Sequence, residues 1–151
     1  MILFVDRSQL HGPRSWVNQD YPDRKGNYPV TDITWYEASA YAEFRGKSLP
    51  TVYQWEKAAR NGVINYQGIS LPWGVVYSMD NLNERVNFNG KGTEPVNEFE
   101  FGISAFGCYN MAGNVKEWCL NNSSDEYFIT GGSWEDTYYL YGDFGSVPGF
   151  Y

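Results

Sequence analysis

Gly46-Lys-Ser-Leu-Pro-Thr-Val-Tyr-Gln-Trp-Glu-Lys-Ala-Ala-Arg60 carries both the start and the packing face of a helix. After Pro50, Thr51 and Gln54 have the spacing of a capping box, in which the hydroxyl accepts from the third helical amide and Gln54 reaches back. Val52, Trp55, Ala58 and Ala59 form an apolar stripe, with Lys57 and Arg60 pointing away and Asn61-Gly62 as the stop. The same device stands upstream. Thr34-Trp-Tyr-Glu37 predicts a helix from Trp35 to Phe44, with Trp35, Ala38, Tyr41 and Ala42 on one face and Gly46 ending it.

Around these two short helices the chain reads as loop. Gly12-Pro13, Tyr21-Pro22 and Tyr28-Pro29 punctuate the polar segment before them. Beyond Gly62, short apolar runs alternate with turns such as Asn87-Phe-Asn-Gly90, predicting short strands that include Tyr127–Thr130 and Trp134. The fold class expected is α+β with a high loop fraction and short antiparallel strands. The 151 residues hold 13 Tyr, 9 Phe, 6 Trp and 16 Gly, so large rings would pack a core around tight turns. One domain spanning 1–151 is expected at this length. No apolar run reaches the roughly 18 residues of a membrane span. Met1–Val5 is too short for a signal peptide, so neither a signal peptide nor membrane binding is expected, and the localisation stays open between a cytoplasmic and a virion-associated setting.

Charge is uneven along the chain. Residues 1–79 hold eight Lys/Arg against seven Asp/Glu, and residues 80–151 hold three against eleven, for a net charge of −7. Without clustered basic groups, general nucleic-acid binding is not expected. The acidic half either serves solubility or holds a cation or basic partner. Two cysteines, Cys108 and Cys119, and one histidine, His11, cannot assemble a four-ligand zinc site. Both cysteines are expected to be reduced and packed.

Five ordered segments carry a family resemblance. Pro29-Val-Thr-Asp-Ile-Thr-Trp-Tyr-Glu-Ala38, Gly46–Arg60, Leu71-Pro-Trp-Gly74, Ala105-Phe-Gly-Cys-Tyr-Asn-Met-Ala-Gly-Asn-Val-Lys-Glu-Trp118 and Gly131-Gly-Ser-Trp134 resemble motifs of the formylglycine-generating enzyme, or sulfatase-modifying factor, family. The resemblance implies a loop-rich, C-type-lectin-like fold in which Trp35, Trp55, Trp73, Trp118 and Trp134 are scaffold. Only Trp16 lies outside the motifs.

The family enzyme is known for copper held by two thiolates, placed two and seven residues after the motif tryptophan. Here those positions are Asp136 and Tyr141, and a carboxylate and a phenol do not replace a bis-thiolate Cu(I) site. Copper is therefore not expected. The iron-dependent sulfoxide synthases of the family require several histidines, which this chain lacks. Calcium is the cofactor that the resemblance still implies, through the Asn110 side chain, the Gly113 and Val115 carbonyls and the Glu117 carboxylate. Alternatively, Asn110 and Glu117 bond backbone amides of a tight loop without metal. A second, weaker calcium set would use Asn87 and the Phe88 carbonyl, in a loop shortened between Gly90 and Thr93.

Relative to the family pattern both ends look short, so the domain is expected to be minimal or truncated. A missing terminal strand would expose backbone edges that a second copy or a partner subunit could complete. The stretch Glu135–Ser146 is rich in Tyr, Gly, Asp and Ser, as recognition loops are. Asp136, Tyr138, Tyr139 and Tyr141 are the candidate ligand-binding residues, for a protein, peptide or glycan. The expected function is a non-catalytic binding module resembling diversified receptors or virion components. The alternatives are an oxidoreductase whose site is altered or completed by another subunit, and a structural assembly domain.

Overall fold

The computed structural model describes residues 12–17, 20–60, 70–75, 81–136 and 145–148. Helix α1 spans Trp35–Phe44 and α2 spans Val52–Arg60, and both capping boxes form. The Glu37 amide donates to Thr34 Oγ1 at 3.2 Å while the Thr34 amide donates to the Glu37 carboxylate at 2.6 Å. Gln54 and Thr51 repeat the exchange at 3.2 and 2.8 Å. These local bonds satisfy amides that a helix start leaves open.

The apolar stripe of α2 packs as its spacing predicts. Trp55 and Ala59 are buried and form a cluster with Met111 and Cys119, flanked by Val52, Ala58, Cys108 and Phe128. Burying one indole removes roughly 200 Å² of surface from water, about 5 kcal/mol of gross transfer free energy. Two side chains depart from the expected faces. Arg60 does not point away, since its side chain is only 12% exposed and its guanidinium pairs with Glu56 one turn earlier. Tyr41 is 48% exposed rather than packed. Helix α1 has no fully buried residue, and Tyr41 lies under the Arg45 side chain, whose Nη1 donates to the Tyr41 hydroxyl at 3.0 Å. What anchors α1 is Trp35. Its ring stacks on Tyr127 at 3.8 Å and its Nε1 donates to the Cys119 carbonyl at 2.8 Å.

Strand β1 (Ser70–Leu71) pairs antiparallel with β2 (Gly74–Val75) around Pro72-Trp73. A second antiparallel sheet has the order β3 (Glu117–Ser123), β4 (Glu126–Thr130), β5 (Gly145–Pro148). Strand β4 covers the predicted Tyr127–Thr130. Trp134 forms no strand and sits in a turn, because its amide donates to the Asn114 carbonyl and its own carbonyl accepts from Gly90. Those bonds tie it to loops instead of a ladder.

Strand β3 was not among the expected strands, since Glu117-Trp-Cys-Leu-Asn-Asn-Ser123 contains no β-branched residue. Its register with β4 shifts between Trp118 and Asn122, marking a bulge. Two bonds tie this stretch to the start of α2. The Leu120 amide donates to the Pro50 carbonyl at 2.8 Å, and Asn121 Oδ1 accepts from the Val52 amide at 2.8 Å. Asn121 thus caps α2 from a distant part of the chain.

A smaller cluster of Val86, Phe88 and Ala112, with Trp73 and Leu82 beside it, supports the loops. Gly102 is required here by contact, since a Cβ on it would lie 1.9 Å from the Arg85 carbonyl oxygen. No helix among the described residues is long and apolar enough to cross a membrane.

Candidate functional site

Three loops meet beside this second cluster, formed by residues 86–96, 110–116 and 131–136. Asn114 joins them. It is 1% exposed and holds a left-handed φ of +64°, a conformation that asparagine tolerates better than most residues. Its Oδ1 accepts from the Glu94 amide at 2.8 Å and from Asn87 Nδ2 at 3.1 Å, and its Nδ2 donates to the Glu94 carbonyl at 3.1 Å. Its backbone amide donates to the Asn87 carbonyl, and its carbonyl accepts from Trp134, both at 3.0 Å. Buried amides satisfied on every side fix geometry strongly. The adjacent Gly113 completes the junction. It has φ +69°, donates to the Gly131 carbonyl at 2.6 Å, and leaves no room for a Cβ, which would fall 2.6 Å from the Asn87 carbonyl oxygen.

Asn110, Gly113, Val115 and Glu117 all lie along the second of these loops and its exit into β3. Asn110 Nδ2 donates to the Val96 carbonyl at 3.0 Å, whereas its Oδ1 is buried and has no hydrogen-bond partner. Among the described residues no hydrogen bond ends on the Gly113 or Val115 carbonyl. Glu117 Oε2 accepts from Trp55 Nε1 at 2.6 Å. Burial pushes the Glu117 carboxyl above the usual range, and the Trp55 indole only partly opposes that. An orphaned amide oxygen, two carbonyls without a hydrogen bond among the described residues and a buried carboxylate are oxygen donors of the kind a hard cation takes.

The weaker set is arranged differently. Asn87 is buried, and its Nδ2 is committed to the Gly92 carbonyl at 2.9 Å as well as to Asn114. The Phe88 ring packs in the second cluster. Asn87 is therefore an interior strut of the loop junction.

Asp136 closes its own turn. Its Oδ2 accepts from the Ser133 amide at 2.7 Å and from Ser133 Oγ at 3.2 Å, and Oδ1 lies 3.7 Å from Lys116 Nζ. The Asp136 carbonyl accepts from the Asn89 amide at 2.9 Å, binding the turn to the first loop. Tyr138, Tyr139 and Tyr141 lie outside the described residues. Cys119 is fully buried, with its thiol 3.6 Å from Thr130 Oγ1 and pushed up by burial, and Cys108 packs against the same cluster. These residues do not fit a bis-thiolate copper centre.

Three residues of this region were not singled out from sequence. Asn114 and Lys116 sit inside the Ala105–Trp118 motif, and Asn121 lies just past it. For Asp136, the local spacing Ser133-x-x-Asp136 already has the form of a side-chain-closed turn.

Two capped helices, a bulged three-stranded sheet and loops knotted by buried amides define a loop-rich α+β scaffold of the formylglycine-generating-enzyme type. Solved structures share it. Treponema denticola variable protein 1 matches with a TM-score of 0.63 at 18% identity, covering 93% of this chain and 70% of that one. CarF matches with a TM-score of 0.60 at 20% identity, over 85% and 65%. The chain belongs to the sulfatase-modifying factor family, whose "Sulfatase-modifying factor enzyme 1-like domain" matches residues 7–144. It is 32% identical over 142 residues to the "Inactive C-alpha-formylglycine-generating enzyme 2" of Bos taurus, covering 85% of this chain and 44% of that protein. It is also 35% identical over 116 residues to the formylglycine-generating enzyme of Thermomonospora curvata, covering 69% and 37%. The chain thus spans less than half the length of these curated relatives.

Proposed function

We propose that this chain is a non-catalytic binding module on a sulfatase-modifying-factor scaffold. It takes a protein, peptide or glycan through the region that follows Trp134. One observation carries this reading. Where the family pattern has its first thiolate, Asp136 stands, and its carboxylate is engaged in closing the Ser133–Asp136 turn. Such a residue fixes the base of a loop and offers no redox chemistry. A relative whose name declares it inactive is in keeping with this reading.

Calcium is assigned to Asn110, Gly113, Val115 and Glu117. The buried Asn110 Oδ1 supports this, since a cation would supply its missing partner. Its role would be to hold the loop that carries Asn114, and so the base on which the recognition region stands.

Two measurements test the proposal. Copper-loaded protein is mixed with a cysteine-containing peptide in an oxygen electrode cell, and no peptide-dependent uptake is expected. Turnover would overturn the reading. In parallel, a peptide and glycan array is screened with the wild type and with Tyr139→Ala and Tyr141→Ala. Loss of a wild-type ligand in variants of unchanged melting supports binding through this region, and full retention moves the interface elsewhere. For the metal, a melting temperature identical in chelator and in millimolar calcium would remove the calcium assignment, because a ligand at about 100 times its Kd adds about 2.7 kcal/mol.

A further inference from the structure

Beside the first of the three loops, the segment before α1 folds around a cavity of about 280 Å³. Trp16, Tyr21, Lys25, Tyr28 and Thr93 are among the residues that line it. Local bonds preform its walls. The Lys25 amide donates to the Pro22 carbonyl and the Tyr28 amide to the Lys25 carbonyl, each at 3.0 Å. Ser15 Oγ donates to the Thr31 carbonyl at 3.0 Å, and the Val96 amide donates to the Asn27 carbonyl at 2.9 Å, fastening the segment to the loop of residues 86–96. The rings are seated tightly against backbone. A Cβ on Gly12 would meet the Trp16 ring at 2.9 Å, and one on Gly26 would meet the Tyr21 ring at 3.3 Å. Trp16 and Tyr21 meet edge to face with centroids 6.2 Å apart, yet Tyr21 remains 51% exposed at the rim.

The charge in this cavity is unbalanced. Lys25 Nζ stands 3.3 Å from the Tyr28 ring centroid, and among the described residues it pairs with no carboxylate. The adjacent acid, Asp23, lies 3.7 Å from Arg24. An ammonium steadied by a ring, in a wall that also carries Trp16, Tyr21, Pro22 and Pro29, is an anion anchor beside a surface for a flat apolar face. The volume admits one ring-sized compound, below the usual range of about 300–1,000 Å³ for drug-sized ligands.

We propose that this cavity binds a small carboxylate-bearing ring compound, with its carboxylate on Lys25 and its ring face against Trp16 and Tyr21. None of the described residues that line the cavity follows Trp134, so either assignment can fail without the other. Sugar acids and aromatic acids share the required chemistry, and the test separates them. The protein is titrated with glucuronate, with glucose as its neutral counterpart, and with benzoate, with benzamide as its counterpart, by NMR or calorimetry. Saturable binding of an anion, at least about tenfold tighter than its neutral counterpart and weakened about tenfold by Lys25→Gln, supports the proposal. Binding of glucuronate identifies a sugar acid, and binding of benzoate an aromatic acid. Lys57→Gln serves as the charge control and is expected to bind as the wild type. No saturation by either anion up to tens of millimolar, or binding unchanged in Lys25→Gln at an unchanged melting temperature, would overturn it.

Discussion

Replacing Asn114 by alanine removes three side-chain hydrogen bonds at once, to Asn87 and to both backbone groups of Glu94. Each such bond contributes about 1 kcal/mol net, and more where a partner stays buried and unsatisfied. Part of the Glu94 backbone can recover water, because that residue is exposed, whereas Asn87 Nδ2 keeps its bond to Gly92. Alanine must also hold φ +64°, which costs about 1 kcal/mol more than asparagine or glycine there. The sum is a loss of about 3–4 kcal/mol, a large share of the roughly 5–15 kcal/mol typical of a domain. At this chain length that lowers the melting temperature by roughly 6–16 °C. Asn114→Gly isolates the backbone part, and despite its smaller side chain it should be about 1 kcal/mol more stable than Asn114→Ala. Urea denaturation of the three proteins, with calorimetry as a check on two-state behaviour, measures both differences. A loss below about 1.5 kcal/mol in the alanine variant, or a glycine variant weaker than alanine, would refute the assignment of Asn114 as the junction of the loops.

Gly102→Ala drives a Cβ into the Arg85 carbonyl at 1.9 Å, so a loss of about 3 kcal/mol is expected in the same assay. Asn121→Ala uncaps α2 at Val52 and should cost about 1 kcal/mol, while Asn121→Asp, which keeps an acceptor at the helix start, should recover most of it. Glu56 has its carboxyl raised above the ordinary 4.5, first by burial, against the opposing attraction of Arg60. A raised carboxyl stabilises the fold fully below its unfolded value and loses that contribution as pH rises through the folded value. Glu56→Gln should therefore show a flatter decline in urea midpoint than the wild type above about pH 4.5, and parallel curves would count against burial of this carboxyl.

Both helices were legible because their signals are local. Thr34 with Glu37, and Thr51 with Gln54, complete their capping boxes within three residues. Trp55 and Ala59 follow from period alone. Arg60 was misread because polarity suggested an outward face, whereas the Glu56 carboxylate one turn earlier draws it inward. Trp134 and β3 escaped for the opposite reason, since their partners at Gly90, Asn114 and Pro50 lie far away in sequence. The lack of thiols at positions 136 and 141 could be read directly. The work that Asp136 does instead needed the turn geometry, even though its spacing from Ser133 hinted at it. Asn110 was named through a resemblance, but the orphaned Oδ1 that gives the assignment physical content is a property of packing alone.

The amide junction around Asn114 draws on Asn87, Gly92, Glu94, Gly113, Gly131 and Trp134, so three loops far apart in sequence share one knot of hydrogen bonds. Because its bonds join stretches as far apart as Asn87 and Trp134, the three loops are held or released as one unit, and none of them keeps its shape through its own sequence alone.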